Sequence, residues 1–582
     1  MRAWLIALLL GLPVSVHAQD RVLDDFDDLA AWKVSATDDV KAALRAADGP
    51  HGKALCVDFD FGRVTGYISV QRALPIAYPA RYEFTLDVRG DAPPNAFQFK
   101  LVDASGENVW WGQRPEFSFP HEWQALKFRQ RQIEFAWGPT KDKVLRNSTT
   151  LELVIASGSG AGKGSACFDR LTLRQLPNVA PPIPAPVMRA GGLSVDYGLP
   201  REFGAIALRW HAGAAPSRYA IELSDDGMQW RRVRQVERAR GDVQMHWLPE
   251  SEARFVRVVP DASGPQAKLK AIEPHDAPTA NAFFMHLAKD APRGTYPRAY
   301  VGEQSYWTVL GVDGARTASL LSEDGVLEPV PGVGGLEPFL VVDGQLKTWA
   351  DAQITHTLRD GDLPMPAVHW KVGDKRGELA LDIEAFGGGT PAASQALARY
   401  TVRNLGKTTR TVSLALAWRP FQANPPTQFL SNPGGVSAVR AIEWNGRALV
   451  VDGALRVQPL LPPSCVQLEP LAAGPALTPT LSQRERDDYQ SVTDDAGFAS
   501  GVLRYEMLLQ PGESRGFAVA LPVTGTPVAP TIANFAREEK RIAALWRERL
   551  GRVRITGPGE VALWTKADSV TRFHDLVIHR LP

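Results

Sequence analysis

From Tyr82 to Ile155 apolar side chains recur at every second position, at Tyr82, Phe84, Leu86 and Val88, at Phe97, Phe99 and Leu101, and at Leu151, Leu153 and Ile155. Successive side chains of an extended chain point to opposite sides, so this period predicts strands with one buried face. Gly, Pro, Asp or Asn bounds each run, and the stretch from Arg21 to Pro177 reads as a β-sandwich. The alternation returns at Tyr219, Ile221 and Leu223, followed by a Ser-Asp-Asp-Gly turn at 224–227 and Trp230 in the returning strand. It continues at Leu379, Leu381, Ile383 and Ala385 and at Val412, Leu414, Leu416 and Trp418. Only near the end does the period change. Ile532, Phe535, Ile542, Trp546 and Leu550 fall on one side of a helix, and Arg537, Glu538, Lys540, Arg541, Arg547 and Glu548 fall on the other. Pro530 and Gly551 suit its two ends, which predicts a helix over 531–550, about 30 Å long.

Between the first two strand-rich segments, the Pro-rich run at 177–187 predicts an extended, semi-rigid spacer. At the other end of the chain, the segment 474–488 is polar and turn-rich without a period, resembles translated intergenic repeats of bacterial genomes, and reads as an inserted surface loop. Such an insertion costs little, because closure entropy rises slowly with loop length.

Arg2, the apolar run from Ala3 to Leu12 and the small residues before Gln19 predict a signal peptide over 1–18. No later stretch reaches about 18 uninterrupted apolar residues, so a periplasmic or secreted location is expected, without a membrane span. A length of 582 residues suggests three or four domains. The 65 basic and 64 acidic residues nearly cancel, which removes the basic excess that a nucleic-acid partner would require. Of the three cysteines, Cys56 and Cys167 lie in strand-like runs and are the couple expected if a disulfide forms, with three buried free thiols as the alternative.

Candidate chemistry is sparse. The Gly-rich run at 158–165 has Ser157 where a phosphate loop needs its first Gly and Gly164 where it needs a hydroxyl, so it reads as a hairpin turn. His574 and His579 are five residues apart and share no helical face, and no histidine spacing predicts a zinc site. Glu303, Glu323, Asp324, Glu328, Glu337 and Asp351 cluster in one region, where they recur beside Gly and Pro as turn and strand-edge residues do. Trp110, Trp111 and Trp137 offer flat aromatic faces on which a sugar ring could stack, with core packing as the alternative. Adjacent Trp110 and Trp111 must point to opposite sides of a strand, so at most one can line a groove.

Three resemblances organise these elements. The runs at 22–29 (Val-Leu-Asp-Asp-Phe-Asp-Asp-Leu), 52–59 (Gly-Lys-Ala-Leu-Cys-Val-Asp-Phe) and 160–173, which closes on Cys-Phe-Asp-Arg-Leu-Thr-Leu, resemble jelly-roll carbohydrate-binding modules of the galactose-binding-like superfamily. That resemblance implies a structural Ca²⁺ among Asp24, Asp25, Asp27 and Asp169, with exposed turn carboxylates as the alternative. The strand, turn and strand around 219–233 resemble a coagulation factor 5/8 type C (discoidin) domain, here without the usual bracketing cysteines. The segments 302–312, 321–328, 346–351 and 418–430 resemble the β super-sandwich that precedes an (α/α)6 toroid in bacterial glycan-active proteins.

The expected fold is mainly β, with three consecutive β-sandwich domains and a C-terminal linker helix. After the signal peptide come a jelly-roll carbohydrate-binding-like domain at 19–176, the linker at 177–187, a discoidin-like domain at 188–276, the super-sandwich at 279–525, the linker helix at 530–551, and a truncated start of a missing helical domain at 552–582. Because the resembling architecture takes its acid and base from the toroid, the function implied is that of an exported, non-catalytic carbohydrate-binding portion of a glycan-active protein, with a poly- or oligosaccharide as partner. A glycoside hydrolase or lyase acting through the super-sandwich and an adhesion or scaffold protein are the alternatives. With the toroid missing, the stripe Ile532, Phe535, Ile542 and Trp546 is expected to be exposed.

Overall fold

A computed structural model describes residues 20–550 apart from 63, 159–161, 177–182, 190–191, 238, 240, 262–266, 278, 427–433 and 472–489, together with the backbone of two short strands at 553–556 and 577–580. The expected signal peptide, the inserted loop, the glycine at the helix end and most of the linker and final segment lie outside the described residues. The chain divides into two compact units, residues 1–182 and 183–582.

The first unit is a sandwich of two six-stranded antiparallel sheets. Its strands are β1 (Asp20–Asp24), β2 (Lys33–Ala36), β3 (Lys41–Gly49), β4 (Gly52–Asp60), β5 (Tyr67–Ala77), β6 (Tyr82–Asp91), β7 (Asn95–Val102), β8 (Val109–Phe117), β9 (Gln124–Arg129), β10 (Glu134–Trp137), β11 (Asn147–Ala156) and β12 (Lys163–Gln175). One sheet runs β3-β4-β12-β6-β9 with β1 beside β12, and the other runs β10-β8-β7-β11-β5-β2. The alternating apolar residues do what their period requires: Phe84, Leu86, Phe97, Phe99, Leu101, Leu151, Leu153, Ile155, Phe168 and Leu171 form one core between the sheets. Cys56 and Cys167 face each other across β4 and β12 with Cα atoms 4.0 Å apart, and they are joined by a disulfide.

The second unit begins with six strands in one sheet, β13 (Val187–Arg189), β14 (Gly192–Trp210), β15 (Tyr219–Ser224), β16 (Arg231–Val236), β17 (Val243–Pro260) and β18 (Leu269–His275). Two bulges interrupt the pairing of the long strands β14 and β17, and Tyr219, Ile221, Leu223, Ile206, Leu208 and Val256 share its core. The turn at 224–227 is held by Asp226, whose Oδ1 accepts the amides of Met228 and Gln229 at 2.7 and 2.8 Å. Trp230 stands just before β16, under the Arg257 guanidinium at 4.0 Å. The other face of β14 and β17, carrying Ala205 and Met245, packs with Phe283 and Phe284 of helix α1 (Ala280–Asp290) and with Phe421 and Phe498.

An eight-stranded and a nine-stranded sheet follow, enclosing a core that includes Leu340, Trp370, Leu381, Ile383, Leu414, Leu416, Trp418 and Leu503. Residues one position out of phase, Leu363, Met365, Phe386, Leu397, Ala518 and Ala520, form an apolar patch on the outer side of the nine-stranded sheet. Helix α2 (Ile532–Leu550) lies on that patch, with Phe535, Ile542 and Ala543 buried and Trp546 packed at the edge. This corrects the expectation of an exposed stripe. The sheet has an apolar outer face of its own, so the helix needs no further domain to cover it. Of the four stripe residues only Ile532, at 39% exposure, stays largely in water. Glu539, absent from the predicted polar side, is buried within the contact and bonds to Arg359 and, at 3.0 Å, to Arg399.

Phe535→Ala should therefore lower unfolding stability by about 3 kcal/mol or more through the cavity it leaves. Glu539→Ala should cost about 2 kcal/mol, short of the roughly 3–5 of a fully buried pair because both arginines keep partial contact with water. Urea midpoints at unchanged slope would measure both. A second expectation concerns His246, which burial depresses from 6.5 to about 3. The unfolded chain takes up that proton first, so stability is full above pH 6.5 and falls as pH drops toward 3, by at most about 1.4 kcal/mol per unit. In His246→Gln, denaturation midpoints between pH 6.5 and 4 should show a shallower slope.

Candidate functional site

On the jelly-roll sheet β10-β8-β7-β11-β5-β2 the inward positions belong to the core, and the residues between them form the outer face. The register brings one residue from every strand into a single row across that face: Glu134 opposite Trp111, Trp111 opposite Lys100, Lys100 opposite Glu152, Glu152 opposite Gln71 and Gln71 opposite Lys33. At a strand spacing of about 4.8 Å the row spans ~24 Å. Gln113 and Gln98 stand opposite each other on the same face.

Trp111 and Trp137 form the centre of this surface. Their rings meet at 88° with centroids 5.2 Å apart, making a right-angled aromatic corner. Lys100 reaches into it, with Nζ 5.2 Å from the Trp137 centroid, 5.9 Å from that of Trp111 and 5.8 Å from that of Tyr67. Burial among these rings lowers the Lys100 pKa below the ordinary amine value, and the Glu152 carboxylate opposes that shift. Trp137 and Tyr67 are each 46% exposed, so the surface presents aromatic area to solvent.

Trp110 does not belong to it. It is buried in the core beside Phe135, and its Nε1 donates to the Lys143 carbonyl at 2.7 Å. Pleat alternation forces the separation: with Trp111 outward, its neighbour must face inward. Trp123 lies by the other sheet, where the Arg89 guanidinium stands 5.0 Å from its ring. Lys100, Tyr67, Glu152 and Gln98 were passed over in the sequence. The signal for Gln98, Lys100 and Glu152 lies in the polar positions between Phe97, Phe99 and Leu101 and between Leu151 and Leu153, none marks Tyr67, and cross-strand register is needed to assemble all four.

The calcium set expected from Asp25, Asp27 and Asp169 is not assembled. Among the described residues no group of three His, Cys, Asp or Glu side chains is placed to hold a metal ion. Asp25 accepts the Asp27 amide at 3.2 Å, and Asp24 is buried against Arg72. Asp27 and Asp169 each hold one side of the β3–β4 turn, accepting the amides of Lys53 at 2.6 Å and His51 at 3.0 Å. The turn comes so close that a Cβ at Gly49 would lie 2.4 Å from Asp169 Oδ2 and one at Gly52 2.8 Å from Asp27 Oδ1. These carboxylates serve the hairpin backbone. Asp169 is wholly buried, its pKa is raised by that burial, and its Oδ1 has no hydrogen-bond partner among the described residues.

The acidic residues clustered between 303 and 351 are engaged by arginines or backbone amides. Glu337 forms a buried two-point pair with Arg419 at 2.8 and 2.7 Å, and Glu303 an exposed two-point pair with Arg293 at 2.6 and 2.9 Å. Asp324 binds Arg298, and burial pushes its pKa up to about 6. Glu328, also raised by burial to about 6, accepts amides from Gly332 and Ala423. Asp351 caps the Thr348 amide at 2.9 Å. The turn-and-edge reading is thus corrected for Glu337, which lies buried inside the strand Gly335–Val342, while Glu328 is the buried last residue of the two-residue strand Leu327–Glu328.

No curated protein sequence matches the chain. Among solved structures it is similar to the family 11 carbohydrate-binding module of the cellulosomal cellulase Lic26A-Cel5E of Clostridium thermocellum, at 16% identity and a TM-score of 0.23, over 27% of this chain and 94% of that one. It is similar to TmCBM61, solved in complex with β-1,4-galactotriose, at 15% identity and a TM-score of 0.18, over 27% of this chain and 99% of that one. It is similar also to the glycoside hydrolase domain of Endo-D from Streptococcus pneumoniae R6, at 10% identity and a TM-score of 0.19, over 39% of this chain and 37% of that one. Residues 189–273, the sheet from β14 to β18 with the end of β13, match the F5/8 type C domain family, and the chain thus carries a discoidin domain within a mainly β architecture.

Proposed function

We propose that this chain is a carbohydrate-binding protein that holds a poly- or oligosaccharide against the outer face of the jelly-roll sheet. The observation that carries the reading is the aromatic corner of Trp111 and Trp137 with Lys100 inside it, on a row of hydrogen-bonding side chains. A pyranose has apolar C–H faces and an equator of hydroxyls. Indole rings take the first by stacking, and Glu152, Gln71, Gln98, Gln113 and Lys100 take the second with both acceptors and donors. A row crossing six strands favours several linked sugar units over one. Its two carboxylates and two amines balance, which favours a neutral glycan.

The apolar run Ala3–Leu12 after Arg2 supports export to the periplasm or the medium. Among the described residues no helix is long and apolar enough to cross a membrane. Binding without cleavage is the companion proposal, supported by the commitment of Glu303, Asp324, Glu328 and Glu337 to arginines and amides.

Retention of the purified chain by a panel of soluble polysaccharides in affinity electrophoresis tests the reading. Trp111→Ala and Trp137→Ala should each weaken retention by about tenfold, the loss of one stacking contact with its buried area. Trp110→Phe, a core substitution, should leave it unchanged. Retention equal to wild type in both alanine variants would overturn the proposed face, and release of reducing sugar by the purified chain would overturn binding without cleavage.

A further inference from the structure

The outer face of the nine-stranded sheet carries polar chemistry that neither glycan binding nor the docking of α2 uses. At one edge of that sheet the strands Ala352–Arg359, Leu363–Asp374 and Gly377–Thr390 follow one another in antiparallel order. Trp370, Leu381 and Ile383 enter the core between the sheets, so the pleat turns His369 and Asp382 outward, to the side on which Leu363, Met365 and Phe386 meet helix α2. Asp382 lies directly opposite His369, and Thr357, opposite Ala367, is the diagonal neighbour of His369 on the edge strand. The three side chains are joined in series. Thr357 Oγ1 is 2.8 Å from His369 Nε2, and His369 Nδ1 is 2.7 Å from Asp382 Oδ1.

The direction of these bonds follows from what each group can offer. A carboxylate only accepts, so Nδ1 carries the proton shared with Asp382. In the neutral imidazole Nε2 then holds a lone pair, and the Thr357 hydroxyl donates to it. A hydroxyl that donates to an imidazole whose other nitrogen is held by a carboxylate is the arrangement that makes a weak alcohol nucleophilic, and it depends on geometry, not on fold or order along the chain. Thr357 is exposed. It lines, together with His369, an open groove of about 320 Å³ whose walls also include Arg359, Met365, Glu384 and Phe386. Nucleophile and base thus border one space that a substrate can enter, and its small size favours a short acyl group.

We infer that Thr357, His369 and Asp382 form an acyl-transfer site that hydrolyses short-chain carboxylic esters. Thr357 Oγ1 attacks the ester carbonyl carbon while its proton passes to His369 Nε2. The bond from that carbon to the alcohol oxygen then breaks, the leaving oxygen takes the proton from Nε2, and the acyl group stays on Thr357. A water molecule attacks the acyl carbon and gives a proton to Nε2; the bond to Oγ1 breaks, Oγ1 recovers the proton, and the carboxylic acid departs. Asp382 is the positioning residue, holding the imidazole in one tautomer and offsetting the charge it gains. No glycosidic bond is touched, so the activity goes beyond carbohydrate binding and stands beside binding without cleavage.

Release of p-nitrophenolate from p-nitrophenyl acetate by the purified full chain tests the site, with peptide mass spectrometry after an acid quench to locate the acetyl group. The chain should turn the ester over and carry acetyl on Thr357 at saturating ester. Thr357→Val, which keeps the side-chain shape at an exposed strand position, and His369→Gln should each lower turnover by roughly a hundredfold or more, the usual scale of general-base catalysis. Thr357→Ser should retain turnover, which separates loss of the hydroxyl from loss of the fold. Asp382→Asn should lower kcat by roughly a hundredfold with KM unchanged, as the loss of positioning without loss of binding requires. Turnover in Thr357→Val equal to wild type, acetyl found only on other side chains, or no turnover above the rate in buffer would each overturn the inference.

Discussion

The pleat of the β-strand governs this protein. Every extended residue commits its neighbours to the opposite side of the sheet, so each sheet has two faces and each face must be buried, paired or put to use. In the large sandwich both phases are apolar: Ala396 and Ala398 enter the core while Leu397 between them faces outward, and Val519 and Leu521 alternate in the same way with Ala518 and Ala520. Helix α2 covers that second phase. In the discoidin domain the second phase of β14 and β17 is met by α1 and its aromatic neighbours.

The jelly-roll sheet resolves the constraint differently. Its second phase is polar and aromatic, and within its own unit it presents Trp137 and Tyr67 to solvent. A rigid sheet suits recognition because the backbone ladder already fixes the spacing of the side chains, and little ordering entropy remains to be lost on binding. Buried charges follow a related logic at the covered faces. Glu539 and Glu337 lie in apolar surroundings, and each is matched by arginines with directional hydrogen bonds. Such pairs add less net stability than apolar packing would, but removing one partner is expensive, so they define how the elements must seat.

The same accounting extends to polar atoms: native interiors satisfy their donors and acceptors, and the Asp169 carboxylate is a partial exception. It holds the β3–β4 turn with one oxygen and keeps the other unmatched.

Local periodicity was enough to establish the mainly β class, the separate strand-rich segments, the discoidin hairpin and the helix near the C-terminal end, because alternation and helical spacing are properties of a few adjacent residues. It also established that Trp110 and Trp111 must part company. It could not choose between them, since either phase was aromatic, and the neighbouring strands that make one side a core decided that Trp111 faces outward. Nor could it assemble Lys100, Glu152 and Gln71 into one row, because register depends on pairings between residues far apart in the chain. The apolar stripe of helix α2 is legible in the sequence, while its burial against Leu397, Phe386 and Ala520 is not, because the partner surface is an outer sheet face whose phase looks like core from sequence. The metal expectation for Asp25, Asp27 and Asp169 comes from the jelly-roll resemblance. In the fold, Asp27 and Asp169 turn instead to backbone amides of a hairpin that only tertiary structure brings between them.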